Sequence, residues 1–193
     1  MNKEELDKLR ERWSGLKIDL PWITRKINTD NAEDGCIDLR ALEIREVLKN
    51  LKMQRVDMSH SIFALAGQIN MCRVTDSKFV KITLGTNLGK YFERCDFSDS
   101  DLRGALFRGE FKDCVFANCN LNGIQGTDVK FIRCNFDKSN LKKSELHRCF
   151  FKDCSFSDTK FFKSTLSGSK FKGIKKEDLA LDNVYMPGAE FDI

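Results

Sequence analysis

Histidine is almost absent from this chain, with His60 and His147 as the only two. Neither has a second imidazole or a cysteine pair beside it, so general acid–base catalysis and histidine-built metal sites have little to rest on. No Cys-x-x-Cys pair occurs, and neither does a phosphate loop, a nucleophile elbow or a dinucleotide fingerprint. No apolar run approaches the roughly 20 residues that cross a bilayer, and the opening Met1-Asn2-Lys3-Glu4-Glu5 has no apolar signal core. These absences predict a cytoplasmic, non-enzymatic protein with no cofactor and no metal.

Against them stands a period of five. Phe111, Phe116, Leu121, Gly126, Phe131, Phe136, Leu141, Leu146, Phe151, Phe156, Phe161, Leu166 and Phe171 follow at that spacing, so 12 of 13 positions are large and apolar. Five matches neither the 3.6 of a helix nor the two of a long strand, yet inside each unit the alternation is that of a strand. Two residues before each large one stands a small or β-branched one, such as Cys114, Val129, Ser139 or Thr159. Both point inward from a very short strand, while the polar residues between and after them face water. One unit alone buries nothing. Repeated corners wind the units into coils, and stacked coils form an all-β solenoid whose side chains fill the axis and leave no interior pocket.

Cys95-Asp96-Phe97-Ser98-Asp99, Ser100-Asp101-Leu102-Arg103-Gly104, Cys119-Asn120-Leu121-Asn122-Gly123, Cys134-Asn135-Phe136-Asp137-Lys138 and Ser139-Asn140-Leu141-Lys142-Lys143 carry the pattern in full. The run resembles the pentapeptide repeat family. The resemblance implies a right-handed quadrilateral β-helix with four units to a coil. It also implies an activity of some members, protection of type II topoisomerases such as DNA gyrase by an acidic rod that mimics duplex DNA, and in some members a homodimer through the C-terminal end.

Seven of the eight cysteines (72, 95, 114, 119, 134, 149 and 154) fall at the small inward position, and Cys36 is hard to assign. With four units to a coil, Cys114, Cys134 and Cys154 stack as a ladder, and Cys95 joins after a slip of one position. Rungs about 4.8 Å apart permit disulfides by distance, and four thiols invite a metal. A linear stack is not tetrahedral, however, and inert packing of free thiols in a reducing compartment is the expectation.

Three parts follow along the chain: a helical and irregular cap at 1–35, the repeats at 36–173, and a capping segment with a short helix at 174–193. In the first, residues 2–13 read as a helix, with Asn2 and Glu5 spaced as a capping box. Residues 37–46 read as two repeats, although 39–51 also suits a helix. Gly85-Thr86-Asn87-Leu88-Gly89 reads as a bulge or loop, and Gly126 as a thinned core offset by Ile124 or a corner shaped for a partner. Lys175 to Leu181 reads as a helix. A solenoid must cover its two ends: Leu6, Leu9, Trp13 and Trp22 are candidates at one, Leu179, Leu181, Tyr185 and Met186 at the other.

Residues 53–173 hold 20 Lys plus Arg against 13 Asp plus Glu, the wrong sign for a DNA mimic. Lys112, Lys152 and Lys172 share one outward position, with Lys130, Arg133 and Lys170 beside them and Asp113 and Asp153 next to the row. That row is either a solvated face or a stripe for an acidic protein, nucleic acid or an anionic membrane surface. Phe150 and Phe162 are the best candidates for outward aromatics. They are few for stacking on bases, but with Lys142, Lys143, Lys160 and Lys163 nearby they suit a protein contact. The sequence thus predicts a scaffold that binds another macromolecule, a protein first, through a rigid face.

Overall fold

The computed structural model describes residues 2–14, 35–64 and 67–192. Short strands recur through the repeats, and each pairs in parallel with its counterpart in the coils before and after. Glu110-Phe111-Lys112 lies beside Lys130-Phe131-Ile132, and that beside Phe150-Phe151-Lys152, Lys170-Phe171-Lys172 and Glu190-Phe191-Asp192 in turn. The chain therefore advances one coil with every four repeats, as from Phe111 to Phe131, and builds a right-handed quadrilateral β-helix of about eight turns. Its four sides carry core columns running through Phe111, Phe116, Leu121 and Gly126. Residues 37–49 join the same coil as strands Ile37–Asp38, Glu43–Ile44 and Val47–Lys49, not as a helix.

Two residues after each core position the backbone turns through the left-handed region. Asp113, Asn118, Asp128, Arg133 and Lys138 have φ between 50° and 60°. Asp and Asn tolerate this best among non-glycine residues, and each Lys or Arg there costs about 1–2 kcal/mol. Burial of the axis offsets the cost. Identical side chains on strands about 4.8 Å apart must stack in register. Phe79, Phe97, Phe116, Phe136 and Phe156 form one ring column with centroids 4.9 to 5.2 Å apart. Phe92, Phe111, Phe131, Phe151, Phe171 and Phe191 form the neighbouring one at 4.7 to 5.4 Å. The columns meet edge to face, as at Phe131 and Phe136, 5.2 Å apart at 78°. At several of the small positions a hydroxyl or thiol donates to a carbonyl of the preceding coil, as Thr159 does to Phe136 (2.7 Å) and Ser169 to Leu146 (3.0 Å), whereas the buried hydroxyls of Ser139 and Ser144 make no such bond.

Two glycine segments depart from the plain repeat. Asn87-Leu88-Gly89 is not a loop: it opens the strand Asn87–Glu93, paired residue for residue with Leu106–Lys112, while towards the preceding coil the register slips by one beside Gly89, between Ile69 and Cys72. Leu88 and Phe92, like Phe107 and Phe111, are four apart, one short of what a corner needs, so each strand runs straight on. A coil later Asp128 supplies the missing residue and the corner returns. Gly126 lies beside Phe107 of the preceding coil. A Cβ there would stand 3.0 Å from Val129 Cγ2 and 3.1 Å from Leu146 Cδ2, so neighbours beyond Ile124 already occupy the space.

At the N-terminal end helix α1, Lys3–Glu11, starts at the Asn2–Glu5 capping box. Just past it, Arg12 grips the Asp38 carboxylate at 2.8 and 3.0 Å, and Trp13 Nε1 donates to the Arg40 carbonyl at 2.8 Å. Partial burial would raise the Asp38 pKa, but hydrogen bonds from Arg12 and Arg40 outweigh it and hold the carboxyl far below the usual range. Leu6 and Leu9 are half-buried, and Trp22 lies outside the described residues.

At the other end the expected helix is a single 3-10 turn, Lys176–Asp178. The four-repeat register puts Lys176 where Phe156 sits one coil earlier. An ammonium cannot enter the axis unpaired, so the chain leaves that side. Ile174 and Leu179, large residues at small positions, are buried instead, and Leu181, Met186 and Phe191 return in register against the core. Tyr185 is 66% exposed.

Candidate functional site

Cys95, Cys114, Cys134 and Cys154 are buried, unbridged thiols one above another on the Phe116 side. Each donates to a carbonyl of the previous coil: Val74 (3.6 Å), Phe92 (3.5 Å), Phe111 (3.3 Å) and Phe131 (3.4 Å) respectively. On adjacent sides burial pushes Cys119 up to about 12 and Cys149 up to about 11. Thiolate is the reactive form. Native protein is therefore expected to react with a thiol reagent about 100-fold more slowly than unfolded chain. Cys154, the last rung and 9% exposed, should react first. Mass spectrometry of trapped adducts checks both, and rapid labelling of Cys114 or Cys134 would show the ladder to be open.

The Phe111 side brings Lys112, Lys130, Lys152, Lys170 and Lys172 together as two outward columns, with Arg133 on the adjoining corner. Most of this charge is matched one coil away. Lys112 pairs with Glu93 (2.7 Å), Arg133 with Asp113 (2.6 Å), Lys170 with Glu190 (2.9 Å) and Lys172 with Asp192 (3.8 Å). Lys112 and the Tyr91 hydroxyl hold the Glu93 carboxyl down to about 2. Among the described residues, Lys130 and Lys152 of this row have no acidic partner. Phe150 is half-buried between Lys130 and Lys170 in one column. The pairs were visible in the sequence as opposite charges one coil apart, for example Asp128 and Arg148, which bond at 2.9 Å.

Phe162 is not part of that patch. It extends the Leu121 side, opposite the Phe111 side, so Phe150 and Phe162 face away from each other. Phe162 is 40% exposed, with Lys163 Nζ 5.3 Å from its ring centroid. Lys142 precedes it in the same column, Lys160 lies on its own strand, and Lys143 and Lys163 occupy successive corners. None of these four lysines makes an ion pair among the described residues.

The two histidines sit apart. His60 is on a corner where burial lowers its pKa, and His147 faces outward on the Gly126 side. No group of three or more metal-ligating side chains forms among the described residues. No helix among them is long and apolar enough to cross a membrane. A groove of about 420 Å³ opens where the chain leaves the Phe116 side, lined by Cys154, Phe156, Ile174, Asp178 and Leu179. The sequence reading missed it, although Lys176 in a core register was its signal.

Residues 110–148 and 139–175 match the family model "Pentapeptide repeats", with eight copies. No curated protein matches the chain. Among solved structures, full-length QnrB1, a plasmid-mediated fluoroquinolone resistance protein, is 16% identical, with 80% of this chain and 93% of that one covered and a TM-score of 0.30. A trypsin-treated QnrB1 is 14% identical over 78% and 91%, at 0.33. The pentapeptide repeat protein Rfr23 from the cyanobacterium Cyanothece 51142 is 10% identical over 81% and 84%, at 0.30.

Proposed function

From the premise that this chain carries the repeats of the pentapeptide repeat family, we propose that it is a non-enzymatic cytoplasmic scaffold that binds another protein through a rigid face of its β-helix. One observation carries this reading. The axis is filled from Leu39 to Phe171 by a single buried core, so recognition is left to the outer sides, whose side chains are set at fixed spacings by the coil. A rigid face binds with little ordering cost, which favours affinity from few contacts.

Topoisomerase protection, implied by the family, needs carboxylates in rows along the rod. Here Asp76, Asp113 and Asp128 are each matched by an arginine one coil on, and the repeats carry a surplus of base. Affinity capture from the native cell is expected to yield a stoichiometric protein partner. A gyrase supercoiling assay with a quinolone is expected to show no protection. Protection at low protein excess would replace this reading by the topoisomerase one, and failure to capture any protein would overturn the scaffold. A self-contact through the C-terminal end would appear as a dimer in sedimentation.

A further inference from the structure

We propose that the end of the Leu121 side is a docking surface for an acidic protein segment bearing an apolar residue, with Phe162 as the apolar contact and Lys142, Lys143, Lys160 and Lys163 as the cationic frame. The proposal rests on the scaffold reading and names the surface and partner chemistry.

Charge complementarity selects the occupant. Although Lys130 and Lys152 lack one, six cations elsewhere on the rod, Arg94, Lys112, Arg133, Arg148, Lys170 and Lys172, sit within 4 Å of a carboxylate. The four lysines around Phe162 do not, although acids are at hand: Asp158 on the preceding corner, Glu145 on the next side and Asp182 one coil on. Like charges held about 5 Å apart on adjacent coils repel, and a carboxylate set between them relieves that repulsion. Phe162 is exposed at the centre of the cations, where an apolar partner group completes its burial and desolvates the frame, strengthening the charge contacts.

The patch is compact. Going back along the same side, its columns turn neutral at Asn120, Asn122 and Asn140, and then to Asp101, which already holds Arg103 at 2.7 Å. A nucleic acid takes a longer cationic track and several stacking rings, and a membrane surface takes more than one exposed apolar side chain. A short acidic segment with one anchor fits the dimensions.

The test uses the full chain and three labelled probes: a peptide in which Asp and Glu flank a single Leu, the same peptide with Ser for Leu, and an oligo-dT strand of equal charge. The Leu peptide is expected to bind with salt-sensitive affinity, and the Ser peptide several-fold more weakly. The triple variant Lys142→Glu, Lys160→Glu, Lys163→Glu should lose about tenfold or more. Phe162→Ser should lose the preference for Leu over Ser while keeping the salt dependence. Lys130→Glu with Lys152→Glu, on the opposite side, should bind as the parent does. All these positions are outward, and unchanged circular dichroism verifies the fold.

Equal binding by the triple variant, or tighter binding of oligo-dT than of the Leu peptide, overturns the proposal. A captured partner that holds the triple variant as firmly as the parent sinks this surface and leaves the scaffold standing. Absence of any captured partner sinks the scaffold, whatever the peptides do.

Discussion

Phe131→Ala is expected to destabilise the protein by about 3–5 kcal/mol. Phe131 stacks between Phe111 at 5.4 Å and Phe151 at 5.1 Å and meets the second column edge-on at Phe136, 5.2 Å away. It also touches Phe107 at 6.0 Å, where Gly126 brings no side chain of its own to the axis. Truncation removes the buried ring and leaves a cavity between stiff strands that cannot close on it, because backbone bonds at fixed spacing hold the coils above and below. Phe131→Leu, which the period itself permits, should cost about 1–1.5 kcal/mol. A solenoid is a near one-dimensional stack in which each coil contacts only its neighbours, so the alanine variant should also uncouple the halves. Urea melts should show a lower midpoint and a smaller m-value for alanine, and a lower midpoint at unchanged m for leucine. Equal midpoints for the two would mean that apolar volume without the ring recovers nothing at this site.

The same periodicity explains which features were legible in advance. The inward residues follow from spacing alone, because each repeat has one strand and one corner and leaves a large side chain a single place to go. That placed Phe131, Leu141 and the buried thiols, and at the N-terminus local chemistry between Asn2 and Glu5 marked the helix start. Three features depended on the neighbouring coil and were less accessible. Whether Lys112 is a free cation or half of an ion pair is decided by Glu93, in the coil before, and a tally of charge over the whole region cannot see it. Whether Phe150 and Phe162 share a face is decided by coil phase: the chain turns two corners between them, at Asp153 and Asp158, and they end on opposite sides. Whether Lys175 to Leu181 forms a helix is decided by Lys176 meeting a core position it cannot fill, a tertiary constraint that overrides local propensity.

Gly109→Ala is expected to cost about 3 kcal/mol or more, and it is the substitution that best tests the uninterrupted strands. At Gly109 φ is 84°, and an added Cβ would collide with the Lys90 carbonyl oxygen and lie 2.9 Å from Lys90 Cα. Both are backbone atoms of the preceding coil, held by the pairing of Asn87–Glu93 with Leu106–Lys112, so no rotamer change relieves the clash. The change combines left-handed strain with a forced separation of two coils. Gly104 isolates the first term: its φ is 67°, and a Cβ there meets nothing within 4 Å, so Gly104→Ala should cost only about 1–2 kcal/mol. At roughly 2–4 °C per kcal/mol for a chain of this size, Gly109→Ala should melt several degrees below Gly104→Ala by calorimetry. Similar melting of the two would mean that the close approach between these coils is absent and that a corner, with room for a side chain, turns there as it does at Asp128.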